Sequence, residues 1–232
     1  MSITSQWIEI DSQDGRFGAY LALPHTGKGP GIVLLQEIFG VNAHIRSVAE
    51  QYAADGYVVL VPDLFWRSGA RIELDYDQAG WQRAVELMNA TPVDQAVADI
   101  ALTVSALKSH PALDGKLASL GFCFGGLLAY HSAVQGLVDA AVCYYGGGIQ
   151  HQLQRADAIT VPVLMHFGEQ DSHIPMDAVA GIRAAFAQRG AVDIRSYPDA
   201  EHGFNCSHRS SYHQRRAAEA HGHSLVFLSG KL

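Results

Sequence analysis

The spacing of apolar residues changes about thirty positions into the chain. Residues 7–11 and 17–23 are short apolar-bearing segments on either side of the turn signal Asp14-Gly15, which predicts two strands joined tightly. Beyond them, unbroken apolar runs rich in β-branched residues alternate with helical patterns. The runs at 32–35, 57–61, 117–120, 141–145, 163–167 and 193–197 read as strands covered on both faces. Between them, Val93, Val97, Ile100, Val104 and Leu107 advance by four and three residues, so they share one face of a helix that Pro111 brings to an end. Segments 42–55, 125–134, 176–189 and 210–228 carry similar patterns, with Gly56 and Gly190 as C-terminal stops. Strands alternating with helices predict the α/β class: a mostly parallel, doubly wound sheet flanked by helices, with no lid domain. No repeat, low-complexity tract or linker interrupts the pattern, and residues 1–232 read as one domain.

Composition narrows the function classes. With 48% hydrophobic and 17% charged residues, the chain has the material for a sizeable core and is no disordered tail. A net charge of −7, with no basic cluster longer than Arg215-Arg216, argues against a nucleic-acid partner. The longest apolar runs are strand-sized, far short of the roughly 20 residues that span a bilayer. The N-terminal stretch has neither a basic nor an apolar leader region, so no membrane association is expected and the cytoplasm is the expected compartment. Three widely spaced cysteines form neither a disulfide framework nor a metal knuckle. The 12 histidines show no ligand spacing, His221 and His223 face different ways on a helix, and no phosphate-binding glycine loop occurs, so neither a metal nor a cofactor is expected.

In doubly wound sheets, ligands bind outside the carboxyl ends of the strands, so chemistry is sought in the loops that follow them. After the strand at 117–120 comes Gly121-Phe122-Cys123-Phe124-Gly125-Gly126, the nucleophile-elbow pattern with cysteine in place of the usual serine. A sharp strand-to-helix turn strains the central residue, and Gly121 and Gly125 sit where neighbouring backbone would clash with a Cβ. Cys123 then stands at a helix N-terminus, whose dipole favours a thiolate, and the Phe124 N–H faces the place where an oxyanion develops. A packing turn around a small buried cysteine would look the same in isolation. The elbow is not isolated: Gly168-Glu169-Gln170-Asp171 follows the strand at 163–167, and Asp199-Ala200-Glu201-His202 follows the strand at 193–197. Cys123, Asp171 and His202 thus occur in the chain order of α/β-hydrolase triads. Cys143 falls inside a strand and reads as core, whereas Cys206, four residues past His202, stays ambiguous.

These motifs, with Gln36-Glu37-Ile38-Phe39-Gly40, Val61-Pro62-Asp63-Leu64, Tyr144-Tyr145-Gly146 and His202-Gly203-Phe204, make the chain resemble the dienelactone hydrolase (carboxymethylenebutenolidase) family over essentially its whole length. The resemblance implies that Cys123, His202 and Asp171 are nucleophile, base and orienting acid. It also implies that the Ile38 and Phe124 N–H groups form the oxyanion hole, and that Glu37 is an additional carboxylate controlling the thiol. A glutamate at a strand end can also cap a helix or pair with an arginine; beside a thiol it disfavours the thiolate and protects it from oxidation.

The implied reaction is hydrolysis of an activated ester or enol lactone through a cysteine thioester. Thiolate leaves a tetrahedral intermediate more readily than alkoxide, so collapse goes forward only when the competing leaving group is also good, as an enolate is. Where the best-known members hold a substrate carboxylate with two arginines, this chain has Trp81 and Cys206, so the anion clamp is missing. Arg67, Arg71, Arg83 or Arg209 could substitute from nearby segments, but each reads first as a solvated surface residue. Phe39, Trp81, Tyr144, Tyr145, Phe204 and Cys206 are candidates for the substrate pocket, the aromatics among them being equally suited to the core. Rival readings are a broad carboxylesterase, thioesterase or acyltransferase on the same site, a silent α/β-hydrolase that binds a small ligand, and a thiol redox sensor. The expected partner is a small-molecule ester or lactone, and the oligomeric state is open between monomer and weak homodimer.

Overall fold

Residues 2–232 are described by a computed structural model; Met1, with which the domain reading and the N-terminal stretch begin, lies outside them. Eight strands follow the order β1-β2-β4-β3-β5-β6-β7-β8 in the sheet. The chain divides into two compact units, one running through Ala118 and including Leu232, the other Ser119–Lys231, with the division falling inside β5 (Leu113–Phe122).

In the first unit, β1 (Thr4–Ser12) and β2 (Gly15–Leu23) form an antiparallel hairpin in register from Thr4↔Leu23 to Ser12↔Gly15. Its two-residue connection is Gln13-Asp14, one residue earlier than the expected turn. β2 runs antiparallel to β4 (Val58–Pro62), and β4 parallel to β3 (Gly29–Leu35). Residues Ile32 to Leu35 and Val58 to Val61 are closed to solvent, as expected for strands covered on both faces. Helix α1 (Ala43–Ala54) starts where the Asn42 side chain accepts the Ile45 N–H, and stops at Asp55 followed by left-handed Gly56. Helix α3 (Val93–Lys108) buries Val97, Ile100, Val104 and Leu107 of the expected stripe, while Val93 stays half-buried. Between them lies α2 (Gln78–Asn89), absent from the sequence reading, which buries only Gly80, Ala84 and Leu87.

In the second unit, β6 (Ala140–Tyr144), β7 (Val163–Gly168) and β8 (Val192–Tyr197) pair parallel, with Ala141↔Val163 and Val163↔Val192 in register. Helix α4 (Phe124–Val134) packs on β6 and is buried on nearly every side, with Leu128, Ala129, Tyr130 and Ala133 fully enclosed. Leu128 alone contributes roughly 1.5–3 kcal/mol of transfer free energy, and with its enclosed neighbours it makes α4 an anchor of this unit. Two expected helices are shorter than their patterns. α5 (Met176–Ala185) ends before Gly190, its chain leaving in turns through Phe186, and α6 (Gln214–Ser229) begins four residues late, capped by His213. Among the described residues, no helix is long and apolar enough to cross a membrane.

Candidate active site

The loops after β5, β7 and β8 bring three sequence-predicted side chains together. Cys123 joins β5 to α4 with φ 56° and ψ −115°, a conformation costing an L residue about 1–3 kcal/mol. Space enforces it. A Cβ on Gly121 would come within 2.0 Å of the Gly125 carbonyl oxygen, and one on Gly126 within 2.5 Å of the Tyr144 oxygen. Strand and helix therefore approach closely only where side chains are missing. The Cys123 N–H donates to the Tyr144 carbonyl at 3.0 Å, and its side chain is partly exposed. Phe124 opens the helix, in the first turn where N–H groups have no intrahelical acceptor.

Asp171 lies three residues past β7. Its Oδ1 accepts the N–H groups of His173 and Ile174 at 2.8 and 3.1 Å, and its Oδ2 meets His202 Nδ1 at 2.8 Å. Burial opposes its charge, but the hydrogen bond and charge of His202 and the two N–H donors hold it below the usual carboxylate range. His202 follows β8 on a turn containing left-handed Asp199 and Gly203. Burial opposes the imidazolium. The negative charge of Cys123 and the hydrogen bonds to Asp171 and Cys123 outweigh it, pushing His202 up to about 10. Two rings meet the imidazole edge-on: Tyr145, with centroids 5.1 Å apart, and His173, at 5.0 Å.

The remaining aromatic candidates in this unit are core. Tyr144, Tyr145 and Phe204, with Cys206, are closed to solvent. Tyr144 shares a hydrogen bond of 2.7 Å with Ser224, which also meets His166 Nε2 at 3.0 Å, while His166 Nδ1 meets Tyr197 at 2.7 Å. Burial holds His166 well below the usual imidazole range, so the ring is neutral and serves as donor on one nitrogen and acceptor on the other. Cys143 is core, as expected, and burial pushes its thiol far up, which makes it inert.

In the first unit, Glu37 is fully buried just past β3, and its Oε2 accepts the Tyr76 hydroxyl at 2.8 Å. That hydroxyl in turn accepts from Asn42 Nδ2 at 3.1 Å, and its ring packs on Phe39 at 4.4 Å. The nearby helix is capped by Asn42, not by Glu37. Ile38 and Phe39 are buried, and Trp81 is 50% exposed on α2. Of the arginines considered, Arg67 binds Asp99 and Asp14, Arg71 lies over Trp7 and near Glu9, and Arg83 pairs with Glu86. Arg209 differs. Its guanidinium lies against Gly203, where a Cβ would come within 2.5 Å of Nη1. Tyr76, His173 and the placement of Arg209 escaped the sequence reading because all three lie on loops, where no local pattern signals a distant partner.

A strained residue between strand and helix, with an acid and a histidine past later strands of a mostly parallel sheet, defines the α/β-hydrolase class. The dienelactone hydrolase family model matches residues 17–231, and the chain belongs to that family, as a hydrolase acting on ester bonds. A carboxymethylenebutenolidase from Pseudomonas sp. (strain P51) is 36% identical over 97% of this chain and 94% of its own, and one from Pseudomonas putida is 34% identical over 97% and 96%. A candidate dienelactone hydrolase from Klebsiella pneumoniae subsp. pneumoniae superposes with TM-score 0.88 at 31% identity, covering 99% of both chains.

Proposed function

We propose that the protein hydrolyses activated esters, enol lactones of the dienelactone type among them, through a thioester on Cys123. The observation that carries this reading is the chain of contacts from Asp171 Oδ2 to His202 Nδ1 and from His202 to Cys123, whose backbone strain presents the sulfur. The two Pseudomonas carboxymethylenebutenolidases to which the chain is similar favour a small lactone as substrate.

When substrate binds, the Cys123 proton passes to His202, and the thiolate and imidazolium so formed stabilise each other. Sγ attacks the acyl carbon, the C–S bond forms, and the carbonyl π pair moves to oxygen. The Phe124 N–H receives that oxyanion, together with the Ile38 N–H that the family resemblance supplies. Collapse re-forms the carbonyl and expels the enolate, which takes the His202 proton. Neutral His202 then removes a proton from water, whose oxygen attacks the thioester. The C–S pair returns to sulfur, and the acid leaves. The resemblance gives Glu37 the task of restraining the thiol before substrate arrives.

A burst of phenol or enol from an activated ester, equal in amount to protein and accompanied by an acyl mass on the Cys123 peptide, is the expected result. Cys123→Ala retaining full turnover would overturn the reading. Acyl transfer to added alcohols in preference to water would move it to an acyltransferase, and binding without turnover to a silent receptor.

A further inference from the structure

His202 has two kinds of restraint. Its nitrogens are tethered, Nδ1 by Asp171 and the imidazolium by Cys123, and its ring is met edge-on by Tyr145 and His173. The tethers change during the proposed reaction, and these two rings do not. Once sulfur becomes a thioester it loses its charge and most of its power to accept a hydrogen bond. Nε2 must then hold a water while the Asp171 bond alone fixes the ring, and one hydrogen bond leaves it free to pivot about the Nδ1···Oδ2 line.

We propose that Tyr145 and His173 form a ring clamp that keeps His202 in place while its sulfur partner is acylated, so both are positioning residues for thioester hydrolysis. This rests on the thioester reading above.

The two rings of the clamp are held differently. Tyr145 is fully buried and has φ 36°, a backbone conformation that glycine takes without strain and tyrosine does not. Three glycines, Gly146, Gly147 and Gly148, follow it directly, so the turn has residues suited to such geometry and still places a large ring at the strained position. Its backbone is pinned: the Tyr145 N–H donates to the His166 carbonyl at 2.7 Å, and the preceding carbonyl accepts the Cys123 N–H at 3.0 Å. The ring is thereby referenced to the nucleophile's own peptide. Phe204 backs it at 5.4 Å between centroids. His173 is exposed and meets the imidazole edge-on at 5.0 Å between centroids. Its N–H donates to Asp171 Oδ1 at 2.8 Å while Oδ2 of the same carboxylate meets His202, so the acid sets both the imidazole and the ring that guards it.

The test compares ring-removing with ring-retaining variants in stopped-flow hydrolysis of a p-nitrophenyl ester. Burst rate reports acylation and the steady phase reports deacylation. His173→Ala and Tyr145→Leu should each slow the steady phase about fivefold, the scale of one lost ring contact. The burst rate should stay within about twofold, so kcat and KM fall together and kcat/KM holds. His173→Phe and Tyr145→Phe should keep parental rates. Because His173 is exposed, its variants test the clamp even if Tyr145→Leu does not fold. The clamp is overturned if His173→Ala leaves the steady phase unchanged, if burst and steady phases fall by one common factor, or if His173→Phe loses as much as His173→Ala. A parent enzyme with no burst would instead overturn the thioester reading on which the clamp rests.

Discussion

Replacing Gly121 by alanine tests whether the elbow is held by space or by local backbone preference. The glycine lies at the end of β5, and its added methyl would come within 2.0 Å of the Gly125 oxygen and 2.3 Å of its carbonyl carbon. Real Cβ atoms essentially never come closer than 3.0 Å, and the obstruction is backbone with no rotamer to change. Strand and helix must therefore part by about 1 Å, the scale at which misplacement of reacting groups costs about 10²-fold in rate. Overpacking of this kind also costs roughly 1–3 kcal/mol of stability. Gly181 in α5 and Gly222 in α6 are the controls, since neither has anything within 4 Å of the added methyl. Alanine there removes the helix penalty of glycine and should stabilise by about 0.5–1 kcal/mol. Urea unfolding, kcat on an activated ester and the rate of Cys123 alkylation by iodoacetamide measure these effects. Gly121→Ala within twofold of parental kcat, with parental stability, would refute the argument that contact with Gly125 sets the elbow.

The remaining expectations concern charge and selectivity. Carbamidomethylation of Cys123 removes the negative partner of His202, so the imidazole NMR titration should fall from about 10 by roughly 1–3 units; an unmoved titration would detach the histidine from the sulfur. Asp171→Asn presents His202 with the wrong tautomer and should lower kcat on the order of 10⁴-fold. Because Asp171 is depressed in the folded protein, its stabilisation is present above its unfolded value and lost as pH falls, so parent and variant should differ in stability at pH 7 and converge in acid. Glu37→Gln should change the pH dependence of Cys123 alkylation, and an identical profile would leave Glu37 a structural partner of Tyr76. With Trp81 and Cys206 where arginines were expected, an acidic lactone should be preferred over its neutral methyl ester by less than about tenfold, since a charge-assisted hydrogen bond contributes about 1.5–3 kcal/mol. A strong preference for the acid, lost in Arg83→Gln or Arg209→Gln, would overturn this expectation and reveal a relocated clamp.

The features legible from sequence were those whose cause is local. Buried parallel strands need continuous apolar runs, so β3, β4, β6 and β7 stood out, and the elbow was visible because only glycines permit its close approach. α2 was missed because its buried face consists of Gly80, Ala84 and Leu87 while Trp81 points outward, a stripe too thin to register. α5 was read too long because 186–189 keeps helical composition. Its backbone instead closes i→i+3 turns, with the Ala187 N–H on Ala184 and the Arg189 N–H on Phe186. The late start of α6 has a similar origin: the Cys206, Arg209 and Tyr212 N–H groups close successive turns, and the His213 N–H returns to the Phe204 carbonyl. That loop carries Arg209 back to Gly203, six residues earlier, a fold-back with no periodic signature. The aromatic candidates were ambiguous for a related reason, because a tyrosine behind a catalytic ring and one lining a pocket have the same sequence.

Under the proposed mechanism, the charge on His202 answers a difficulty that cysteine introduces. A serine enzyme needs its histidine neutral at the outset, to take the hydroxyl proton during attack. In a thiolate–imidazolium pair the transfer has already occurred, so acylation needs an acid for the leaving group, and a histidine raised to about 10 stays one throughout the neutral range. The same protonation would block the second half of the reaction, which needs a base. Acylation relieves this, because forming the thioester removes the sulfur charge that helped raise His202, and the proton has just left with the enolate. Asp171 remains to orient the ring, with two backbone donors fixing its other oxygen. The histidine is thus an acid while sulfur is charged and a base while sulfur is acylated, and no group besides the substrate's acyl carbon has to switch it. A poor leaving group defeats this cycle at its first step, since thiolate departs again before the imidazolium can act. Selectivity for activated esters then follows from the pair itself, whatever the shape of the pocket around it.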